Sequence, residues 1–176
     1  MIGEKLFNLK ELVKNKEVIF IDIDNTLFNY TTAHSKALNK VLKRFNYDIS
    51  IYNKAKINIK KRDLKSNHHK KELYFKNMRE IEGRHFTEAL TMYELYHKTF
   101  AKYLLVDRAM MNLLEYSERV GIKVVAITNY YVIPQIKKLM YTKFSRFIHY
   151  LITSEEFEVE KPSIKLLNRA LELVRN

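Results

Sequence analysis

The 176-residue chain carries 32 Lys and Arg against 20 Asp and Glu, a formal charge of +12, and is 47% hydrophobic, enough for one core with a small inserted module. It has no cysteine, which excludes a disulfide framework, thiolate metal sites and cysteine nucleophiles and suits a reducing cytoplasm. No stretch approaches the roughly 20 apolar residues of a membrane span, and the basic excess alone does not say whether it serves nucleic acid, acidic lipid, anionic metabolites or none of these.

Leu6, Leu9, Leu12 and Val13 repeat at helical spacing and predict an amphipathic helix packed on the body. The run VIFIDID, Val18 to Asp24, is β-branched and aromatic and ends in polar residues, the pattern of a parallel strand buried on both faces. From Thr31 to about Tyr103 no strand pattern appears. Ala37, Leu38, Val41 and Leu42, then Leu73, Met78 and Ile81, then Leu90, Tyr93, Leu95 and Tyr96 predict several helices. A helix over Ala109–Val120 should stop at Gly121, with a second buried strand over Ile122–Thr128. A helix over Val132–Tyr141, a strand signal over Phe147–Thr153 and a helix over Ser163–Val174, entered past Pro162, complete the pattern. Strands alternating with helices imply an α/β fold with a parallel sheet, whose reactive loops follow the strand C-termini.

Three strand ends carry chemistry: Asp22-Ile23-Asp24-Asn25-Thr26-Leu27 after the first, Thr128-Asn129 after the second, Lys161-Pro162 after the third. A carboxylate can attack a phosphoryl group and split one hydrolysis into two displacements. Side chains two apart on extended backbone project to the same side, so Asp24 can approach the centre that Asp22 attacks and exchange its proton there. Taken singly, each piece has a plainer reading: a capping or turn acid, a turn, and a solvated lysine before a helix.

In this order, the pieces resemble the first three motifs of the haloacid dehalogenase-like superfamily, and the resemblance covers nearly the whole chain. It implies a Rossmann-like α/β core over residues 1–30 and 104–176, with an all-helical cap inserted at 31–103. It also implies a Mg²⁺-dependent phosphatase acting on a small phosphorylated metabolite through an aspartyl-phosphate. Asp22 would be the nucleophile and Asp24 the acid/base, while Thr128, Asn129 and Lys161 would bind and neutralise phosphate. Mg²⁺ would sit on the Asp22 carboxylate and the Asp24 backbone carbonyl. Dehalogenating members lack the second acid, so Asp24 favours phosphoryl chemistry; a phosphomutase is the alternative within the family.

Ser66-Asn67-His68-His69-Lys70 with Tyr74-Phe75 resembles a cap pattern in which Lys70 or Arg62 meets a second anionic group. The plainer reading is a solvated basic face with Tyr74 and Phe75 in the helical core. The basic run Lys54–Lys71 raises a nucleic-acid-binding alternative, but aromatics do not interleave with its charges as a base-stacking platform requires. The family's fourth motif, an acidic pair completing the Mg²⁺ site, does not appear before Asn176. The core is therefore expected to be C-terminally incomplete, with the first strand at a sheet edge that invites self-association and with weakened Mg²⁺ binding. A noncatalytic, protein-binding relative is the reading that this departure favours. Glu155, Glu156, Glu158 and Glu160 stand too near Lys161 to replace the motif and are read as loop or capping residues.

Overall fold

In a computed structural model, residues 9–62 and 69–175 are described, the side chain of Arg62 excepted. The expectations that rest on Leu6, Arg62, Ser66, Asn67 and His68 lie outside what is described. The chain divides into two compact units, Met1–Tyr30 with Leu105–Asn176, and Thr31–Leu104.

The first unit is built on three short parallel strands, β1 (Val18–Ile21), β2 (Lys123–Thr128) and β3 (Tyr150–Thr153), in the order β1-β2-β3. The central strand is buried at every position after Lys123. Val125 and Ile127 pack with Ile152 against Leu166 and Ala170 of α9 (Ile164–Arg175), and α6 (Arg108–Arg119) also packs on β2. Burying one Val or Ile side chain in this way is worth about 1.5–3 kcal/mol. β1 stands at the sheet edge, as expected, but departs from the expectation of a doubly buried strand: it ends at Ile21 and leaves Phe20 41% exposed. Its composition is that of an inner strand, but burial is set by neighbours, and among the described residues only β2 pairs with it.

Connections follow local chemistry. The helical stretch α1, residues 9–13, turns Leu12 to solvent at 70% exposure, so this stretch does not bury the whole predicted stripe. Asp107 caps α6 by accepting from the Met110 N–H at 3.0 Å, and Gly121 ends the turn after that helix at φ +76°, where a side chain would be strained. Helix α7 (Val132–Tyr141) has the predicted bounds. The expected strand over Phe147–Thr153 is shorter: Phe144–Phe147 forms a 3₁₀ turn that buries both phenylalanines before β3 begins. Glu155 and Glu156 act as caps. Glu156 accepts from the Thr153 N–H and hydroxyl at the start of α8 (Ser154–Phe157), and Glu155 accepts from the Val132 N–H at the start of α7.

The second unit is all helical: α2 (Tyr30–Phe45, entering from the first unit), α3 (Ile49–Arg62), α4 (Lys71–Ile81) and α5 (Glu88–Lys102). On α2 the buried stripe is Ala33, Ala37, Leu38, Val41 and Leu42. On α5 it is Met92, Tyr96, Thr99 and Phe100, while Leu90 is 64% exposed, so the buried face is rotated from the predicted one. Tyr74 and Phe75 are fully buried, Tyr74 edge-on to Tyr52 at 5.8 Å and Phe75 against Tyr96 at 5.8 Å. Buried Arg79 is held by Glu88 at 2.7 Å, the His85 carbonyl at 2.9 Å and the Tyr47 hydroxyl at 3.3 Å.

His34 lies 2.6 Å from the Tyr96 hydroxyl, with Tyr52 beside it. Burial, then the nearby charges of Lys71 and Lys56, push its pKa down to about 4. The folded imidazole therefore refuses a proton that the unfolded one accepts below its ordinary pKa of about 6.5. Its stabilising contribution is full above that pH and is lost as pH falls toward about 4. Thermal melts between pH 7 and 4.5 should show the midpoint dropping, and His34→Gln should shrink that drop; an unchanged pH dependence in the variant would remove His34 as its source.

Candidate active site

The parallel register sets the geometry. Ile21 lies opposite Ala126, and Ala126 opposite Leu151, so Asp22, Thr128 and the residues after β3 all leave the sheet at one end. After β1 the chain turns back on itself. The N–H groups of Thr26 and Leu27 bond the Ile23 carbonyl at 3.3 and 2.9 Å, and Asn25 takes a left-handed φ of 63°, which Asn tolerates better than most residues. Asp24 and Phe28 then bridge, and the Leu27 carbonyl accepts from the Asp107 N–H at 2.9 Å, tying the loop to the start of α6. Ile23, Leu27 and Phe28 are buried, which anchors the turn and leaves Asp22 42% exposed at its side chain.

Asp22 forms an ion pair with Lys161 and accepts from the Thr26 hydroxyl at 3.3 Å. The Lys161 ammonium also donates to the Ile127 carbonyl at 3.0 Å, while the Lys161 backbone is gripped by the Asn129 side chain, whose Oδ1 accepts from its N–H at 2.7 Å and whose Nδ2 donates to its carbonyl at 3.4 Å. Asn129, expected at phosphate, thus spends its amide on the lysine's peptide. The Lys161–Pro162 peptide is cis.

Asp24 has two partners that sequence reasoning did not single out. Lys138 Nζ lies 2.5 Å from Oδ1 and Gln135 Nε2 lies 2.8 Å from Oδ2; the same Gln135 nitrogen donates to Thr128 Oγ1 at 2.6 Å. Both come from α7, whose buried face is polar: Gln135, Lys138, Leu139 and Thr142 are buried, whereas Ile133, Ile136 and Met140 are exposed. The signal was the i, i+3, i+7 spacing of Gln135, Lys138 and Thr142 on one face, shared with Leu139. Lys138 is seated among Tyr130, Tyr30 and Phe28 rings, 4.5, 5.1 and 5.8 Å from their centroids. Burial pushes its ammonium below the usual lysine range, against the pull of Asp24 and then Asp22. Gln135 Oε1 is buried with no partner among the described residues, a state that costs about 1–3 kcal/mol.

Asp22, Asp24, Thr128, Asn129 and Lys161 are therefore brought together at one end of the sheet. The arrangement offers a half-exposed carboxylate beside a cation, a second carboxylate held by Lys138 and Gln135, and a threonine hydroxyl on that same Gln135. Such a set can present a nucleophilic oxygen, a proton-exchanging group and neutralisation for an anion at one point.

Residues 16–176 match the haloacid dehalogenase-like hydrolase family. No curated protein matches the sequence. Among solved structures, the chain is similar to a candidate beta-phosphoglucomutase from Thermotoga maritima (TM-score 0.68, 14% identity, 92% of this chain and 71% of that one). It is similar to a 2-haloacid dehalogenase from Pseudomonas syringae (0.67, 15%, 91% and 73%). A candidate HAD-hydrolase from Bacillus subtilis bound to magnesium is a third (0.64, 16%, 90% and 74%). At these identities the likeness is one of fold.

The buried Lys138–Asp24 pair makes a thermodynamic prediction of its own. Lys138→Met and Asp24→Asn, made singly and together, should show a coupling energy on the order of 1–2 kcal/mol in urea unfolding, because removing one partner strands the other. Strictly additive losses would mean that the pair is not coupled.

Proposed function

The chain belongs to the haloacid dehalogenase-like hydrolase family, and from that membership we propose that it is a phosphatase releasing inorganic phosphate from a small organic phosphate. The observation that carries this reading is the second acid: Asp24 stands two residues after Asp22 and is held by its own pair of donors, Lys138 and Gln135. A site that only displaced halide would have no use for a second, supported acid, whereas phosphoryl transfer needs a group to protonate the departing oxygen.

In the proposed reaction, an Asp22 oxygen attacks phosphorus in line and the bond from phosphorus to the leaving oxygen breaks. The electron pair stays on that oxygen, which takes a proton from Asp24. Water then gives a proton to Asp24 as its oxygen attacks the aspartyl-phosphate, and Asp22 leaves as a carboxylate. Lys161 offsets the charge of Asp22 and of the phosphoryl oxygens throughout, while the Thr128 hydroxyl binds one of them. Asn129 acts through the Lys161 backbone that it grips.

Mg²⁺ is the cofactor of this reading. The Asp22 carboxylate and the Asp24 main-chain carbonyl would hold it, hard oxygen donors of the kind it takes alongside water and substrate phosphate. Bound there, it would neutralise charge on the phosphoryl oxygens. Among the described residues no cluster of three acidic or histidine side chains adds to that pair, and Lys161 already neutralises Asp22. Affinity in the absence of phosphate is therefore expected to be about millimolar or weaker, as read by calorimetric titration. Submicromolar binding would require an acidic ligand that this account lacks.

Turnover of an aryl phosphate with Mg²⁺ tests the whole reading. Asp22→Asn should abolish it and Asp24→Asn should lower kcat by at least ~10²-fold. Wild-type rates in Asp22→Asn would sink the mechanism.

No helix among the described residues is long and apolar enough to cross a membrane. The proposed ligand is a small phosphorylated metabolite, and the proposed compartment is the cytoplasm.

A further inference from the structure

We propose that Gln135 is a positioning residue that sets the direction of the Thr128 hydroxyl hydrogen, by donating to the threonine oxygen and leaving that hydrogen to a bound phosphoryl oxygen. The inference rests on the phosphatase reading and deepens it.

Gln135 is fully buried, and its Nε2 lies 2.8 Å from Asp24 Oδ2 and 2.6 Å from Thr128 Oγ1. The amide nitrogen is the atom that faces both Asp24 Oδ2 and Thr128 Oγ1, and an amide nitrogen only donates. The nitrogen has two hydrogens, and both are then used, one on each neighbour. Thr128 Oγ1 therefore accepts from Gln135 and keeps its single hydrogen to donate elsewhere. Among the described residues nothing accepts that hydrogen.

Without Gln135 the Thr128 hydroxyl would lose the donor that fixes its rotation, and its lone pairs would be as free as its hydrogen to face an incoming anion. Gln135 stands between the two and satisfies both as a donor. The amide does so although its own Oε1 is left without a partner among the described residues, an arrangement that an apolar side chain of similar size would avoid. The donors, not the packing, are what the position supplies.

The test is titration calorimetry of the full chain with inorganic phosphate, on wild type, Thr128→Val, Gln135→Met, Gln135→Glu and the Thr128→Val/Gln135→Met double variant, with thermal melts to verify folding. Gln135→Met should weaken phosphate binding about tenfold in the wild-type background. In the Thr128→Val background it should weaken it by less than about twofold, because there is no hydroxyl left to orient. Gln135→Glu keeps the shape but replaces the donor with an acceptor. Its phosphate affinity relative to wild type should be lowest near pH 8 and recover toward pH 5, where the introduced carboxyl regains a hydrogen; this arm decides the matter if Gln135→Met does not fold.

Equal losses in both backgrounds, no loss in Gln135→Met, or a pH-independent deficit in Gln135→Glu would overturn the inference. If wild type binds phosphate and those results appear, the inference alone fails. If wild type neither binds phosphate nor turns over aryl phosphate, the phosphatase reading fails and takes this inference with it.

Discussion

The constraint on which the rest depends is the parallel register of β1 on β2 and of β2 on β3. Parallel pairing sends all three strand ends out of the same side of the sheet, so residues more than a hundred positions apart in sequence arrive together without any long-range search by side chains. Asp22 follows Ile21, which pairs with Ala126, and the carbonyl of the next residue, Ile127, receives the Lys161 ammonium that pairs with Asp22. A slip of one residue would reverse every inward and outward side chain of β2 and bury Val124 and Ala126 where Val125 and Ile127 now meet α9. The same hydrophobic contacts that fix the core thus fix the chemistry.

Charge is balanced at short range. Two carboxylates at one strand end repel each other unless each has a cation, and each has one: Lys161 for Asp22 and Lys138 for Asp24. The two pairs differ in environment. Lys161 and Asp22 are both substantially exposed at their side chains, so their attraction is screened and the lysine is free to interact with an arriving anion. Lys138 is 8% exposed and ringed by aromatics, so its pair is structural in character and holds Asp24 from the interior. On its outer side β1 pairs with no strand among the described residues, and Phe20 is 41% exposed.

Much of this was legible in the sequence. The α/β alternation, the bounds of α7 and the grouping of Asp22, Asp24, Thr128 and Lys161 at strand ends follow from period, punctuation and the chemistry of those residues. Three things were not. The 3₁₀ turn at Phe144–Phe147 buries aromatic residues with a spacing that a strand would also show. Gln135 and Lys138 were hidden because burial is ordinarily assigned to apolar residues; in α7 the polar face is the inner one, and only a carboxylate needing donors below the strand ends explains why. Asn129 was read as an anion ligand when its amide has the geometry to mimic a strand partner for Lys161.

That last feature bears on how much the loop before Lys161 can change in length. Because the Asn129 side chain grips the Lys161 peptide directly, the lysine is located by its anchor and not by the length of the segment leading to it. The stretch from α8 to Lys161 is tethered at both ends, by the Thr153–Glu156 box at its start and by Asn129 at its finish. Insertions or deletions between those tethers would change the surface bordering the site while returning the ammonium to the same place. The cost of closing a longer loop rises only logarithmically with its length. The clamp therefore uncouples the length of that stretch from the place of the charge beside Asp22.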